Sequence, residues 1–312
     1  MMIAVQINSF GGYEKLTINN NATKPTLAAN QVLVEVYAAS LNPVDKGIAA
    51  GYLKDMVHLP ATLGGDFSGV VVQVGEGVSD FKIGGRVYGQ AIVLNGGSGS
   101  LAQFVAANAG NTALQPNHIS FTEAASLPLA GVSALQALEE HIKLKAGQKI
   151  LIHGAAGGIG SLAVQIAKSL GGYVAATASS KDKDYVKGLG ADLVIDFRSE
   201  KFEEMLKDYD AVLDLVSGET TNKSLKVLKQ GGIIVSLLAP ADPELAKKLN
   251  VTAIGQLTNT NTQYLIRLAE LVSTGKVKTQ IDKVFPLNQT LEALKHLGEG
   301  HPRGKVVIKI KN

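Results

Sequence analysis

The sequence predicts an α/β fold, with a doubly wound parallel sheet joined to an antiparallel, barrel-like β region. Three observations carry that expectation. Up to about residue 125, short strand-like runs sit between glycine turns. Beyond it, short continuous apolar runs alternate with amphipathic helical stretches, the pattern of parallel strands covered on both faces. The first of those strands runs directly into the glycine loop His153-Gly-Ala-Ala-Gly-Gly-Ile-Gly160.

In the first region the runs are Val32–Tyr37, Gly69–Gly75 and Arg86–Tyr88, separated by Gly64-Gly65, Gly75 and Gly77, Gly84-Gly85 and the Gly96–Gly99 cluster. In the second region Ile150–His153 is a buried strand. Ser161–Leu170 is a helix with Leu162, Ile166 and Leu170 stacked on one face. Further strands are expected at Tyr173–Thr177, Leu193–Asp196, Ala211–Val216, Gly232–Leu238 and Val251–Leu257. Helices are expected between them, at Asp184–Leu189, Lys201–Leu206 and Gly218–Leu228. The tail changes character again: a helix over Asn261–Ser273, a strand at Lys283–Phe285, a helix at Leu291–Leu297 and a last strand at Lys305–Ile310.

Composition narrows the function. With 46% hydrophobic and 18% charged residues among 312, the chain has ample material for a packed core and is not a disordered polymer. A net charge of +3 gives no electrostatic case for nucleic acid or an anionic membrane. The absence of cysteine excludes disulfides, thiolate zinc sites, iron–sulfur clusters and a cysteine nucleophile. The six histidines, at 58, 118, 141, 153, 296 and 301, lack ligand spacing, so no metal site is expected. No apolar run is long enough for a membrane helix, and residues 1–7 carry no targeting signature. A soluble cytoplasmic protein is the expectation.

The glycine loop is the strongest chemical signal. Following a strand and opening a helix, Gly154, Gly157 and Gly160 fit a dinucleotide fingerprint. One glycine permits the tight turn and another lets backbone amides approach a pyrophosphate. The third lets the helix pack on the strand, and the helix N-terminus adds positive potential. Ala155, Gly157, Gly158 and Ile159 are therefore candidate cofactor contacts, with Val216 and Leu238 at the ends of later strands. An NAD site usually carries a carboxylate about 20 residues on, at the end of the second strand. Here that end reads Ser179-Ser180-Lys181-Asp182-Lys183. Hydroxyls and ammonium groups suit a 2′-phosphate, so Ser179, Ser180 and Lys183 point to NADPH.

The chain resembles zinc-independent medium-chain dehydrogenase/reductases, in the quinone oxidoreductase branch that includes zeta-crystallin-like proteins and alkenal/enone oxidoreductases. The matching segments are Asn42-Pro-Val-Asp45, Leu63–Val71, Val74–Val78, Phe81–Gly89, Ala124–Gly131, His153–Gly160, Gly190–Asp192 and Gly304–Val307. The resemblance implies a doubly wound parallel Rossmann sheet inserted into a GroES-like, mainly-β catalytic domain. It places the catalytic domain at residues 1–123 and 258–312, and the NADP(H)-binding domain at 124–257. It also implies a homodimer. Zinc-dependent relatives carry a Cys and a Gly-His-Glu segment as ligands. In this sequence Asn42 falls at the Cys position and Gly65-Asp66-Phe67 along the other stretch. Three departures from the branch itself stand at Ala49 (usually Arg), Gly85 (usually Asp) and Phe197 (often Tyr).

A site with hydride placement and no Lewis acid suits acceptors that carry their own conjugation, such as quinones and α,β-unsaturated carbonyls. Hydrogen-bond donors near the developing oxyanion suffice there. Asn42, Tyr52 and Ser133 are the catalytic candidates for that role. Enoyl-thioester reduction and NADPH binding with little turnover are the alternative expectations.

Overall fold

The computed structural model describes residues 1–311, which form two compact units. The first comprises residues 1–129, 260–273 and 279–311, and the second residues 130–259 and 274–278.

The first unit begins with β1 (Met2–Ile7), β2 (Leu16–Ala22), β3 (Gln31–Ser40), α1 (Pro43–Ala50), β4 (Ala61–Thr62), β5 (Asp66–Val74), β6 (Arg86–Gln90), β7 (Phe104–Asn108), β8 (Thr112–Leu114) and α2 (Phe121–Ala125). A three-stranded sheet has the order β2-β1-β4. The larger sheet is organised around β3, whose ten residues serve three neighbours. β5 pairs along most of it, β7 pairs with its first half, and the chain's last strand pairs with Ala38, Ala39 and Ser40. Alternate valines 32, 34 and 36 of β3 pack with Phe67, Val71, Val87 and Val105 in one core. Further along, Ala39 and Leu41 turn into a second core with Ile48, Leu63, Val306 and Ile308. The first unit runs past residue 123, because α2 packs on β3 and β5 and the Leu129 amide is bonded to Asp66. The break falls inside α3 (Pro128–Leu135).

The second unit holds β9 (Lys149–Ile152), α4 (Gly158–Ser169), β10 (Tyr173–Ala178), α5 (Lys183–Gly188), β11 (Leu193–Asp196), α6 (Phe202–Met205), β12 (Tyr209–Asp214), α7 (Glu219–Ser224), β13 (Leu228–Ser236), α8 (Pro243–Lys248) and β14 (Thr252–Gly255). The six strands are all parallel, in the order β11-β10-β9-β12-β13-β14. Ile150, Leu151 and Ile152 of the central β9 are fully buried, as an unbroken apolar run in a doubly covered sheet should be. The helix expected over Gly218–Leu228 is shorter than its sequence pattern. It ends at Ser224, tightens into a 3-10 turn over Leu225–Val227, and β13 already starts at Leu228. The strand accommodates Gly231 at φ +75°, a backbone conformation that costs glycine least.

The tail returns to the first unit with α9 (Thr262–Ser273), β15 (Ile281–Pro286), α10 (Thr290–Glu299) and β16 (Lys305–Lys309). β15 runs parallel to β16, and β16 closes on β3. No helix among the described residues is long and apolar enough to cross a membrane.

Candidate active site

In the second unit the glycine loop is built for close approach. Gly154 turns at φ +66° directly after β9 and His153. Ala155 is fully buried, and its amide bonds back to the Thr177 carbonyl at 3.2 Å, tying the loop to β10. Gly157 caps the twelve-residue α4 in an extended conformation. The amides of Gly158, Ile159 and Gly160 therefore open the helix without intrahelical acceptors. A methyl group on Gly160 would overlap the Gly154 carbonyl and stand 2.7 Å from Ala155 Cα, so only hydrogen fits there. A methyl on Gly154 would stand 3.1 Å from Val216, which places Val216 against the loop. The cradle fits a pyrophosphate: bare backbone, free amides and a helix N-terminus. Val216 and Leu238, past the ends of β12 and β13, are 44% and 67% exposed and available to a ligand.

Two groups outside the candidate cofactor contacts shape this cradle. Asp214, at the end of β12, accepts from the amides of Val216 and Ser217 and from the Thr221 hydroxyl, holding the turn that presents Val216. His153 is 1% exposed, with Nδ1 2.9 Å from Thr177 Oγ1 and Nε2 2.8 Å from Ser224 Oγ. Ser224 gives its own hydrogen to the Thr220 carbonyl, so Nε2–H donates to Ser224 and Nδ1 accepts from Thr177. Burial pulls the imidazole pKa down to about 4, and the neutral ring joins loop, strand and helix.

At the ends of β10 and β11 the charged groups are already partnered. Lys183 Nζ stands 2.9 Å from Glu200 Oε2, and that carboxylate also takes the Asp196 amide at 2.7 Å. Ser179 donates to Asp182 at 2.6 Å, while Ser180 is exposed. Beside them the Phe197 amide bonds to the Ala178 carbonyl, and the Arg198 guanidinium stands 5.5 Å from the exposed Phe197 ring. A composition search limited to one strand end finds Lys183 and misses both Arg198 and the opposing Glu200, which the neighbouring strand delivers.

The first unit gathers a buried charged cluster. Asp66 is fully buried and accepts from Asn42 Nδ2 at 2.8 Å, Ser40 Oγ at 3.1 Å and the Leu129 amide at 3.1 Å. Lys305, 5% exposed at the start of β16, donates to the Leu41 carbonyl at 2.7 Å and to Asn42 Oδ1 at 2.5 Å. Its Nζ is 3.8 Å from Asp66 Oδ2. Asp45, also fully buried, accepts the Asn42 amide at 2.7 Å from the first turn of α1, and its other oxygen has no partner. Asn42 is thus held on both edges by charged groups. Tyr52 takes no part in this hydrogen-bonded cluster. It follows α1, 85% exposed, its amide bonded to the Gly47 carbonyl and its ring folded back beside Gly47. Ser133 belongs to the second unit, buried on α3, with its hydroxyl 2.8 Å from that of Thr258. Ala49 is buried in the core around α1, so the position at which the resemblance implies Arg makes an apolar contact. Among the described residues no three His, Cys, Asp or Glu side chains converge as a metal-binding group.

Burial opposes charge on every member of the cluster. It pushes the Asp66 carboxyl up and the Lys305 ammonium down, although each is drawn back by the other. Lys305 and the three donors on Asp66 favour its charged form against that burial. Asp45 would then add a second negative charge, and burial raises its pKa from 3.8 to about 7. A carboxyl bound to its proton more tightly in the folded state loses stability as pH rises. Asp45 should therefore lower unfolding free energy between about pH 4 and pH 7, with a slope approaching 1.4 kcal/mol per pH unit, and add no slope above that range. Denaturant unfolding of wild type and Asp45→Asn across that range checks it, since the variant's curve should be flatter. Identical slopes would assign the proton elsewhere.

The comparisons agree with this architecture. A family profile described as "Alcohol dehydrogenase GroES-like domain" matches residues 28–117, and one described as "Zinc-binding dehydrogenase" matches residues 189–308. The chain is 37% identical to the NADPH-dependent alkenal/one oxidoreductase of Arabidopsis thaliana, over 96% of this chain and 78% of the relative. It is 38% identical to the 2-methylene-furan-3-one reductase of Solanum lycopersicum, over 98% and 79% respectively. The solved quinone oxidoreductase of Coxiella burnetii superimposes with a TM-score of 0.91 at 36% identity, covering 99% of both chains. A mainly-β unit interrupted by a parallel nucleotide-binding sheet, with relatives this similar along nearly the whole chain, makes it a member of the medium-chain dehydrogenase/reductase family, in its quinone oxidoreductase branch.

Proposed function

We propose that the protein is an NADPH-dependent oxidoreductase that transfers hydride to a quinone or an α,β-unsaturated carbonyl without a metal. One observation carries the reading. A complete nucleotide cradle at Gly154–Gly160 shares the chain with a catalytic unit whose metal-ligand positions hold Asn42 and the Asp66 stretch, locked to Lys305. An amide, a hydrogen-bonded carboxylate and an ammonium are a poor donor set for zinc, since the ammonium takes the place of the cation. The names of the alkenal/one, furanone and quinone relatives support the acceptor class.

When bound, NADPH supplies the hydride. The chain's own groups do the rest. The amides at the start of α4 hold the pyrophosphate. Ser179, Ser180, Lys183 and the neighbouring Arg198 face the 2′-phosphate. Asn42 donates to the carbonyl oxygen as charge develops on it, with Tyr52 and Ser133 as the other two donors. The enzyme works in the cytoplasm as a homodimer, which sedimentation should report as twice 32.6 kDa.

Lys183→Ala should raise the dissociation constant for NADPH about tenfold and leave NADH binding unchanged, as the loss of one charge-assisted contact. Titration with both nucleotides measures this, and equal weakening of the two would remove Lys183 from phosphate recognition. The function itself is tested by following NADPH consumption with quinones, alkenals, enones and enoyl thioesters, alongside elemental analysis of the pure protein. The expected outcome is turnover of quinones or enones by protein free of zinc, unaffected by chelators. One zinc per chain, with activity lost on chelation, would defeat it.

A further inference from the structure

The Asn42 amide has two edges of nearly the same shape, and its partners decide which way each one faces. Lys305 can only donate, so the edge 2.5 Å from its Nζ must be the oxygen. Ionised Asp66 can only accept, so the edge 2.8 Å from its Oδ2 must be the NH2 group. A flipped amide would set donor against donor and acceptor against acceptor in the interior. Backbone pairing delivers both readers to the same place. Ser40 pairs with Asp66 on one side and with Val307 on the other, and the Leu41 amide donates to the Val306 carbonyl at 3.0 Å. Asp66 takes one hydrogen of Nδ2, and no acceptor among the described residues takes the second. A cation on the carbonyl edge also draws electron density from the amide nitrogen, which makes that remaining hydrogen a better donor.

We propose that Lys305 is a positioning residue, whose buried ammonium, backed by Asp66, fixes the Asn42 amide with one polarised N–H left for the substrate oxygen. The proposal rests on the reading of Asn42 as the donor to that oxygen. It explains why a lysine heads the buried run Lys305-Val-Val-Ile308, while the strand's other lysine, Lys309, is exposed, despite the cost of burying its charge.

The test is a double-mutant cycle on Asn42→Ala, Lys305→Met and the combined variant, with kcat, the Michaelis constants and thermal unfolding measured for each. Lys305→Met should lower kcat at least about tenfold and leave the Michaelis constant for NADPH within about twofold. In the combined variant kcat should be no lower than in Asn42→Ala alone, because the lysine has nothing left to position. If Lys305→Met does not fold, Lys305→Met combined with Asp66→Asn removes the buried pair together and carries the same measurement against Asn42→Ala. Full kcat in a less stable Lys305→Met protein would assign the lysine a structural role only and overturn the proposal, as would losses that multiply in the combined variant. Undiminished kcat in Asn42→Ala is a different result. It would remove Asn42 from the chemistry, and the positioning role with it.

Discussion

Gly160→Ala should weaken NADPH binding by about 100-fold or more and destabilise the nucleotide-binding unit. The added methyl would meet the Gly154 carbonyl and Ala155 Cα, both backbone atoms, so no side-chain rotation relieves the overlap. The first turn of α4 would have to lift off the loop, and the amides of Gly158, Ile159 and Gly160 would leave the positions that suit a pyrophosphate. Gly157 provides the control. Its φ is −76° and an added methyl would come no closer than 3.5 Å to the Gly154 oxygen, so Gly157→Ala should keep wild-type unfolding behaviour. Calorimetric titration and thermal unfolding of the two variants measure both effects. Equal stability and equal affinity in the pair would show that α4 does not depend on the contact.

Asp66→Ala should cost about 3–5 kcal/mol of unfolding free energy, because it strands the Lys305 ammonium in the interior and leaves Ser40 and Leu129 without their acceptor. Removing the charges together should cost less. Lys305→Met combined with Asp66→Asn should be more stable than Asp66→Ala, even though it loses the ion pair. Chemical denaturation curves for the two proteins decide the point. If the combined variant is the less stable, Lys305 and Asp66 contribute net stability as a pair, and the view that burial offsets most of their attraction is wrong.

How far the sequence was legible follows from how local each signal is. The strands of the parallel sheet are unbroken apolar runs, and Leu193–Asp196 and Tyr173–Ala178 stand where Leu, Val, Ile and Tyr predict them. β2 escaped notice because Leu16-Thr-Ile-Asn-Asn-Asn-Ala22 is mostly polar and exposed on an edge, with only β1 beside it. The glycine cradle was readable because turn, amides and helix start lie within eight consecutive residues. The Asn42 cluster was readable only in part. Asn42 and Asp45 are neighbours in sequence, but Asp66 and Lys305 reach them through strand pairing over separations of 24 and 263 residues. Locally, Lys305 shows only as part of the matching segment Gly304–Val307 and as a charge ahead of the apolar run Val306-Val-Ile308. Lys183 looked like an open cation because its partner Glu200 comes from beyond β11, which no reading of the β10 turn contains.

The proposed reaction is hydride transfer to a conjugated acceptor at a metal-free site. The most direct measurement is product analysis after turnover with NADPH deuterated at the nicotinamide C4 position, using an enone as acceptor and the chelator-treated protein as catalyst. The expected result is the saturated ketone carrying the deuterium at its β-carbon, at a rate unchanged by the chelator, with no oxidation of ethanol by NADP in the reverse assay. Brisk NADP-dependent oxidation of simple alcohols, with no label transferred to enones and no turnover of quinones, would contradict the account.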